Sequence, residues 1–156
     1  MHMRFAVLVA CAFCLPAGAG ALQDSNKAVV RGFFDEVIDQ GHLERYAQSH
    51  AAGFVVHTFK GDMPVEADMA AAAEERKALP DMRLEVVQMM AEGDMVAVHW
   101  IARGTNTGDG MGFKATGAKI TVPGMTFFRL KDGKISEEWG VFDMAGAYRQ
   151  AGVCPK

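Results

Sequence analysis

The sequence predicts an α+β fold: a curved antiparallel sheet whose concave side is closed by N-terminal helices around a hydrophobic pocket. Apolar residues recur at helical spacing only ahead of Pro80. Beyond it, short β-branched and aromatic runs are joined by Gly-centred turns. No repeat, linker or low-complexity stretch divides the 156 residues, so one domain with one sizeable core is expected.

The first segment, MHMRFAVLVACAFCLPAGAG, is set apart from the fold. Arg4 gives it a positive start, Phe5 to Leu15 an apolar run, Pro16 a break, and Ala19-Gly20-Ala21 a small-residue cleavage site before Leu22. A cleaved secretory leader over residues 1–21 is therefore expected, because the apolar run falls short of the roughly 20 residues that a membrane span needs. The remaining residues 22–156 would be exported to the periplasm or the medium with no membrane anchor. They would keep Cys154 as their one thiol, so no internal disulfide could support the fold.

From Asn26 onward, Ala28, Val29, Phe33, Phe34, Val37 and Ile38 trace a helical face, with Asp24 or Ser25 as cap and Gly41 as stop. A shorter helix over Leu43 to His50 and a strand over Phe54 to Phe59 (FVVHTF) follow. Pro64 suits the start of an Ala-rich helix, Val65 to Leu79, which Pro80 ends. Arg83 to Ala91 and Met95 to Arg103 flank Glu92-Gly93-Asp94, and Met125 to Leu130 and Lys134 to Asp143 flank Lys131-Asp132-Gly133. Both read as hairpins. The Gly-rich stretch TNTGDGMGFKATGAK between them reads as a loop, and Met144 to Gln150 as a closing helix.

Half of the residues are hydrophobic, 22% are charged and the formal net charge is −3. The basic residues are scattered singly, which excludes a nucleic-acid surface or an anionic-membrane anchor as the reading. Gly110 to Ala115 has the form GxGxxA but leads into a strand rather than a helix, so it is no dinucleotide fingerprint. His42, His50, His57 and His99 form no HxH or HxxxH pair and have no cysteine at zinc spacing; no metal or other cofactor is expected.

Four strand residues draw attention. On KISEEWGVFD, strict alternation puts Ile135, Glu137, Trp139, Val141 and Asp143 on one face. A carboxylate on an apolar face tends toward a raised pKa suited to general acid or base work. Asp143 could equally cap the helix that follows it. His57 lies among Val55, Val56 and Phe59, and His99 shares its face with Met95, Ala97 and Ile101, opposite Val98 and Trp100.

Taken together, NKAVVRGFFDEVIDQG, AAGFVVHTF, AEGDMVAVHWIARGTNTG and FFRLKDGKISEEWGVFD resemble the SnoaL-like polyketide cyclases of the nuclear transport factor 2-like superfamily. The resemblance implies a cone-shaped α+β barrel around a hydrophobic cavity, with Asp143 as acid/base and His57 and His99 beside it. It also implies a substrate wall that includes Trp100, Asn106, Met125, Phe127 and Trp139, no metal or cofactor, and a homodimer. Two positions depart from the family pattern: Asn106 and Glu138 stand where many members carry histidine. The expected function is cofactor-free acid/base chemistry, as in a cyclase or isomerase, on a small apolar carbonyl compound. The alternative is an exported module that binds a small molecule without turning it over.

Overall fold

The structure, a computed structural model, describes residues 18–153; most of the expected leader, and Cys154, lie outside the described residues. Helix α1 runs Gly18–Gly32. It begins earlier than its apolar spacing indicates; within it, Asn26 is buried and donates to the Gly93 carbonyl at 3.2 Å. The helix then widens into a π-type segment, Phe33–Asp39. That widening lets the adjacent residues Phe33 and Phe34 both turn inward. Gly41, at φ +80, ends it in the left-handed region that glycine tolerates best.

A 3₁₀ turn (Leu43–Arg45) and the short helix α2 (Tyr46–Ser49) lead into strand β1 (His50–Thr58). An edge strand β2 (Gly61–Pro64), too short to read from the sequence, comes next. Pro64 then opens helix α3, Val65–Ala78. The remaining elements are β3 (Arg83–Glu92), β4 (Met95–Thr105), β5 (Lys119–Lys131), β6 (Lys134–Phe142) and α4 (Met144–Ala151).

One curved six-stranded sheet results, in the order β2-β1-β6-β5-β4-β3. The expected antiparallel meander holds from β3 to β6, whereas β1 pairs parallel to β6, so the sheet is mixed. It does not close on itself: β2 and β3 stay at its edges. The parallel pair arises because β6 comes to lie beside β1 only after α3 and the rest of the meander have intervened, the long connection that parallel strands require.

Alternation is clearest on β5. Ile120, Val122, Thr126, Phe128 and Leu130 face the helices and are buried, while Met125 and Phe127 face outward. Phe33, Phe34 and Val37 pack on Val96, Val98, Phe128 and Ile135 to form the main core. A second cluster joins α4 to the far end of the sheet through Ala147, Ala151, Ile120 and Val122. Arg83 and the backbone of Leu84 bind the Asp39 carboxylate at 2.6 to 2.8 Å, which fastens the end of the π segment to β3. Among the described residues, no helix is long and apolar enough to cross a membrane.

Candidate active site: an acid-lined cavity

Between α3, the π segment and the concave face of the sheet lies a cavity of about 220 Å³. Its walls are mostly apolar, with Phe33, Phe34, Trp100, Phe128 and Phe142 prominent. The space exists partly because the α3 residues between its two acids that line it, Ala71 and Ala72, are small. The Trp100 indole lies across Gly124, where a Cβ would come within 2.2 Å of its ring, and its Nε1 donates to Thr126 Oγ1 at 3.0 Å. Glycine at 124 is what allows this aromatic plate against the sheet.

Into this apolar space project three carboxylates: Asp68 and Glu75 from α3, and Glu138 from β6. Asp68 and Glu75 stand two helical turns apart and therefore share a face, with the two alanines between them. Asp68 accepts a short hydrogen bond from the Tyr46 hydroxyl. Among the described residues, Glu75 and Glu138 have no hydrogen-bond or ion-pair partner; burial and neighbouring charge alone act on them. Both keep some accessible surface although they lie deep in the fold, so that surface faces the cavity.

The electrostatics follow. Burial, and then the charge of Asp68, pushes the Glu75 carboxyl up to about 7. Burial, reinforced by Asp68 and Glu75, raises Glu138 well above the usual carboxylate range. Burial also raises Asp68, partly offset by the Tyr46 hydrogen bond, and burial beside these acids raises the Tyr46 phenol. Near pH 7 the cavity therefore holds one carboxyl, Glu75, poised between its two states, beside acidic groups whose proton affinity is also raised. No three His, Cys, Asp or Glu side chains among the described residues are arranged to hold a metal ion.

The residues singled out from the sequence fall in four places. Trp100 lines the cavity. His57 borders it, but its ring turns to the outer side of the sheet, stacked on Trp139 at 4.6 Å. There Nδ1 lies 2.9 Å from Asp62 and Nε2 2.9 Å from Glu137, and these two hydrogen bonds, with Glu137 the stronger influence, raise its proton affinity. Glu137 in turn accepts from Arg129 at 2.7 Å. His99, Met125, Phe127 and Trp139 all lie on that outer side, because odd-numbered residues of β4 and β5 point away from the helices.

Asn106 is fully buried beneath the loop that follows β4. It donates to the carbonyls of Ala78 and Gly108 and accepts from the amide and hydroxyl of Thr116, at 2.9 to 3.1 Å. Asp143 caps α4: its carboxylate accepts from the Gly146 amide at 2.7 Å, with Arg149 at 3.6 Å, and it is not among the residues bordering the cavity.

The outcome on β6 turns on one irregularity. The pairing with β5 shifts between Arg129 and Leu130, so Ile135 faces the core opposite Leu130 while Glu137 and Trp139 face outward. Past this bulge it is Glu138, Gly140 and Phe142 that look into the cavity. Sequence reasoning noticed Glu138 only as a departure from the family, and missed Asp68, Glu75 and Tyr46. The readable signal was the acidic pair Asp68 and Glu75, seven residues apart on one face of α3 around a run of four alanines.

Comparison with known proteins agrees with this architecture. The solved structure of AclR, a candidate hydroxylase from Streptomyces galilaeus, superposes with a TM-score of 0.78 at 25% identity, covering 86% of this chain and 85% of that one. A candidate SnoaL-like polyketide cyclase from Jannaschia sp. CCS1 gives 0.76 at 23% identity, covering 86% and 96%. IdmH, a candidate polyketide cyclase from Streptomyces antibioticus, gives 0.70 at 25% identity, covering 82% and 99%. No curated protein matches by sequence. The sequence profile of the SnoaL-like polyketide cyclases matches residues 28–151, nearly the whole described chain, and the protein belongs to that family.

Proposed function

We propose that the protein is a cofactor-free acid/base enzyme, a cyclase or isomerase, acting on a small apolar carbonyl compound held in the cavity. The observation that carries this reading is Glu75: a carboxyl held near neutrality, facing an apolar space, with Glu138 and the Tyr46–Asp68 pair around it. A base titrating near the working pH is suited to removing a proton from the carbon beside a carbonyl. Glu138, whose proton affinity is raised by its burial, is placed to donate a hydrogen bond in its protonated form to the oxygen on which charge develops, where such donors contribute most. The proton taken by Glu75 then returns to carbon at a new position in an isomerisation, or, in a ring closure, goes to the alkoxide oxygen formed when the enolate carbon attacks a second carbonyl of the same molecule. The solved relatives are named for cyclisation and for hydroxylation, so the likeness alone does not choose the reaction, and the cavity chemistry guides the choice.

The test is deuterium exchange at the α-carbon of small alicyclic ketones in D₂O, followed by proton NMR. Catalysed exchange is expected, and Glu75→Gln should slow it by about 10² to 10⁴. Exchange at the uncatalysed rate across a ketone panel that binds would overturn the reading.

We propose further that residues 1–21 are removed on export and that the mature protein works outside the cytoplasm as a homodimer. The leader pattern supports the first point. For the second, the family resemblance is joined by an exposed apolar face on the outer side of the sheet, where Met90, Met125, Phe127 and Val141 are 50% to 74% exposed. Mass analysis of exported protein should find an N-terminus near Leu22; an intact Met1 would refute cleavage.

A further inference from the structure

We infer that the ligand of this cavity is an organic cation, a protonated or quaternary amine on a small apolar body. The inference rests on reading the cavity as the substrate site and narrows the substrate class: the carbonyl compound carries a basic nitrogen.

The hydrogen-bond inventory leads to it. Three carboxyl groups each bring two acceptor oxygens to one space. Against them the walls offer few donors. The Tyr46 hydroxyl is committed to Asp68, and Trp100 Nε1 is committed to Thr126. No lysine or arginine lines the cavity. Arg76, next to Glu75 on α3, turns the other way and gives its guanidinium to the carbonyls of Ile38, Asp39 and Met82. Glu75 and Glu138 thus face the cavity with nothing to complete them.

Buried carboxyls without partners are costly, and what completes them must be rich in donors or positive charge. A neutral ketone supplies only another acceptor, so it answers one protonated carboxyl and leaves the others as they are. An ammonium group answers all three. The surrounding faces of Phe33, Tyr46, Trp100 and Phe142 suit the same ligand, since aromatic rings attract a desolvated cation. Gly140 leaves room for it beside Glu138. A Cβ there would stand 3.6 Å from Glu138 Oε1 and 3.7 Å from Thr126 Oγ1, in the space a ligand head group would take. An anionic ligand meets no lysine or arginine in this cavity and is repelled by the charge of its carboxylates.

The experiment is calorimetric titration of the full protein at about neutral pH with matched cyclohexyl probes: the trimethylammonium salt, the methyl ketone and the carboxylate. The ammonium compound is expected to bind at least about tenfold more tightly than the ketone, with no binding of the carboxylate. Glu138→Gln, with Glu75→Gln as a second variant should the first fail to fold, should bring the ammonium and ketone affinities to within about threefold by weakening the former more than the latter. Ketone binding equal to or tighter than ammonium binding in the unaltered protein overturns the cation inference and leaves the acid/base reading intact. Preferred ammonium binding without α-proton exchange of the bound ketone does the reverse. Binding of none of the probes overturns both.

Discussion

Asp143 and Glu138 show how one residue's role is decided by local geometry rather than by residue type. Both are carboxylates near the end of β6, yet Asp143 holds the Gly146 amide while Glu138 faces the cavity. Asp143→Asn should therefore leave both stability and activity nearly unchanged, since asparagine caps a helix almost as well. Asp143→Ala should cost about 1 kcal/mol, measured by denaturant unfolding. Gly146→Ala should match the Ala variant, because a Cβ there would lie 2.1 Å from the Asp143 carboxylate and force it off the cap. A large loss of turnover in the Asn variant would return Asp143 to the chemistry. The family resemblance set Met125 and Phe127 of β5 in the substrate wall, whereas strict alternation along that strand turns both outward. On β6 the same rule misplaced Glu138, because a bulge is a one-residue event with no signature in KISEEWGVFD.

At the scale of elements, what the sequence carried best was whatever has a period or a punctuating residue. The β3–β4 and β5–β6 hairpins, the stop at Gly41 and the end of α3 before Pro80 were all legible. The early start of α1 and the parallel β1–β6 pair were not, and the pair depends on strands distant in sequence. Asn106 belongs to this second class. In sequence it sits in a Gly-rich run, but in the fold it organises the whole crossover between β4 and β5 through four side-chain hydrogen bonds. Asn106→Ala leaves buried donors and acceptors without partners, and should cost about 3 kcal/mol or more. Limited proteolysis should then cut first within residues 107–118. An unchanged midpoint and cleavage pattern would show that the loop is held by its backbone bonds alone.

Over the whole molecule, the cavity acids set activity and stability against each other. Glu75 binds its proton more tightly folded, at about 7, than at the ordinary value of 4.5. The stabilisation this gives is complete below about pH 4.5 and is lost as pH rises through 7, the direction shared by Asp68, Glu138 and His57. His50, whose proton affinity is lowered by its burial, acts oppositely: folding is weakened as pH falls below 6.5. The groups facing Glu75 are Asp68, Glu138 and Tyr46, with no lysine or arginine to compensate. Glu75→Gln should therefore raise thermal stability at about pH 8, by on the order of 2 kcal/mol, and have little effect at about pH 5, while abolishing exchange. Equal shifts at both pH values would refute the assignment. Phe127→Glu, on the outer face, should turn the proposed homodimer into a monomer in sedimentation without changing the cavity; a monomeric unaltered protein would remove the dimer proposal. The sheet has also given the protein a pair of optical reporters. Its two tryptophans stand on opposite faces, Trp100 in the cavity wall and Trp139 outside between the His57 ring and the Arg129 guanidinium. Emission from a Trp139→Phe protein will report what enters the cavity. Emission from a Trp100→Phe protein will follow the charge of His57 and whatever covers the outer face, so filling of the cavity and covering of that face can be timed separately in one molecule.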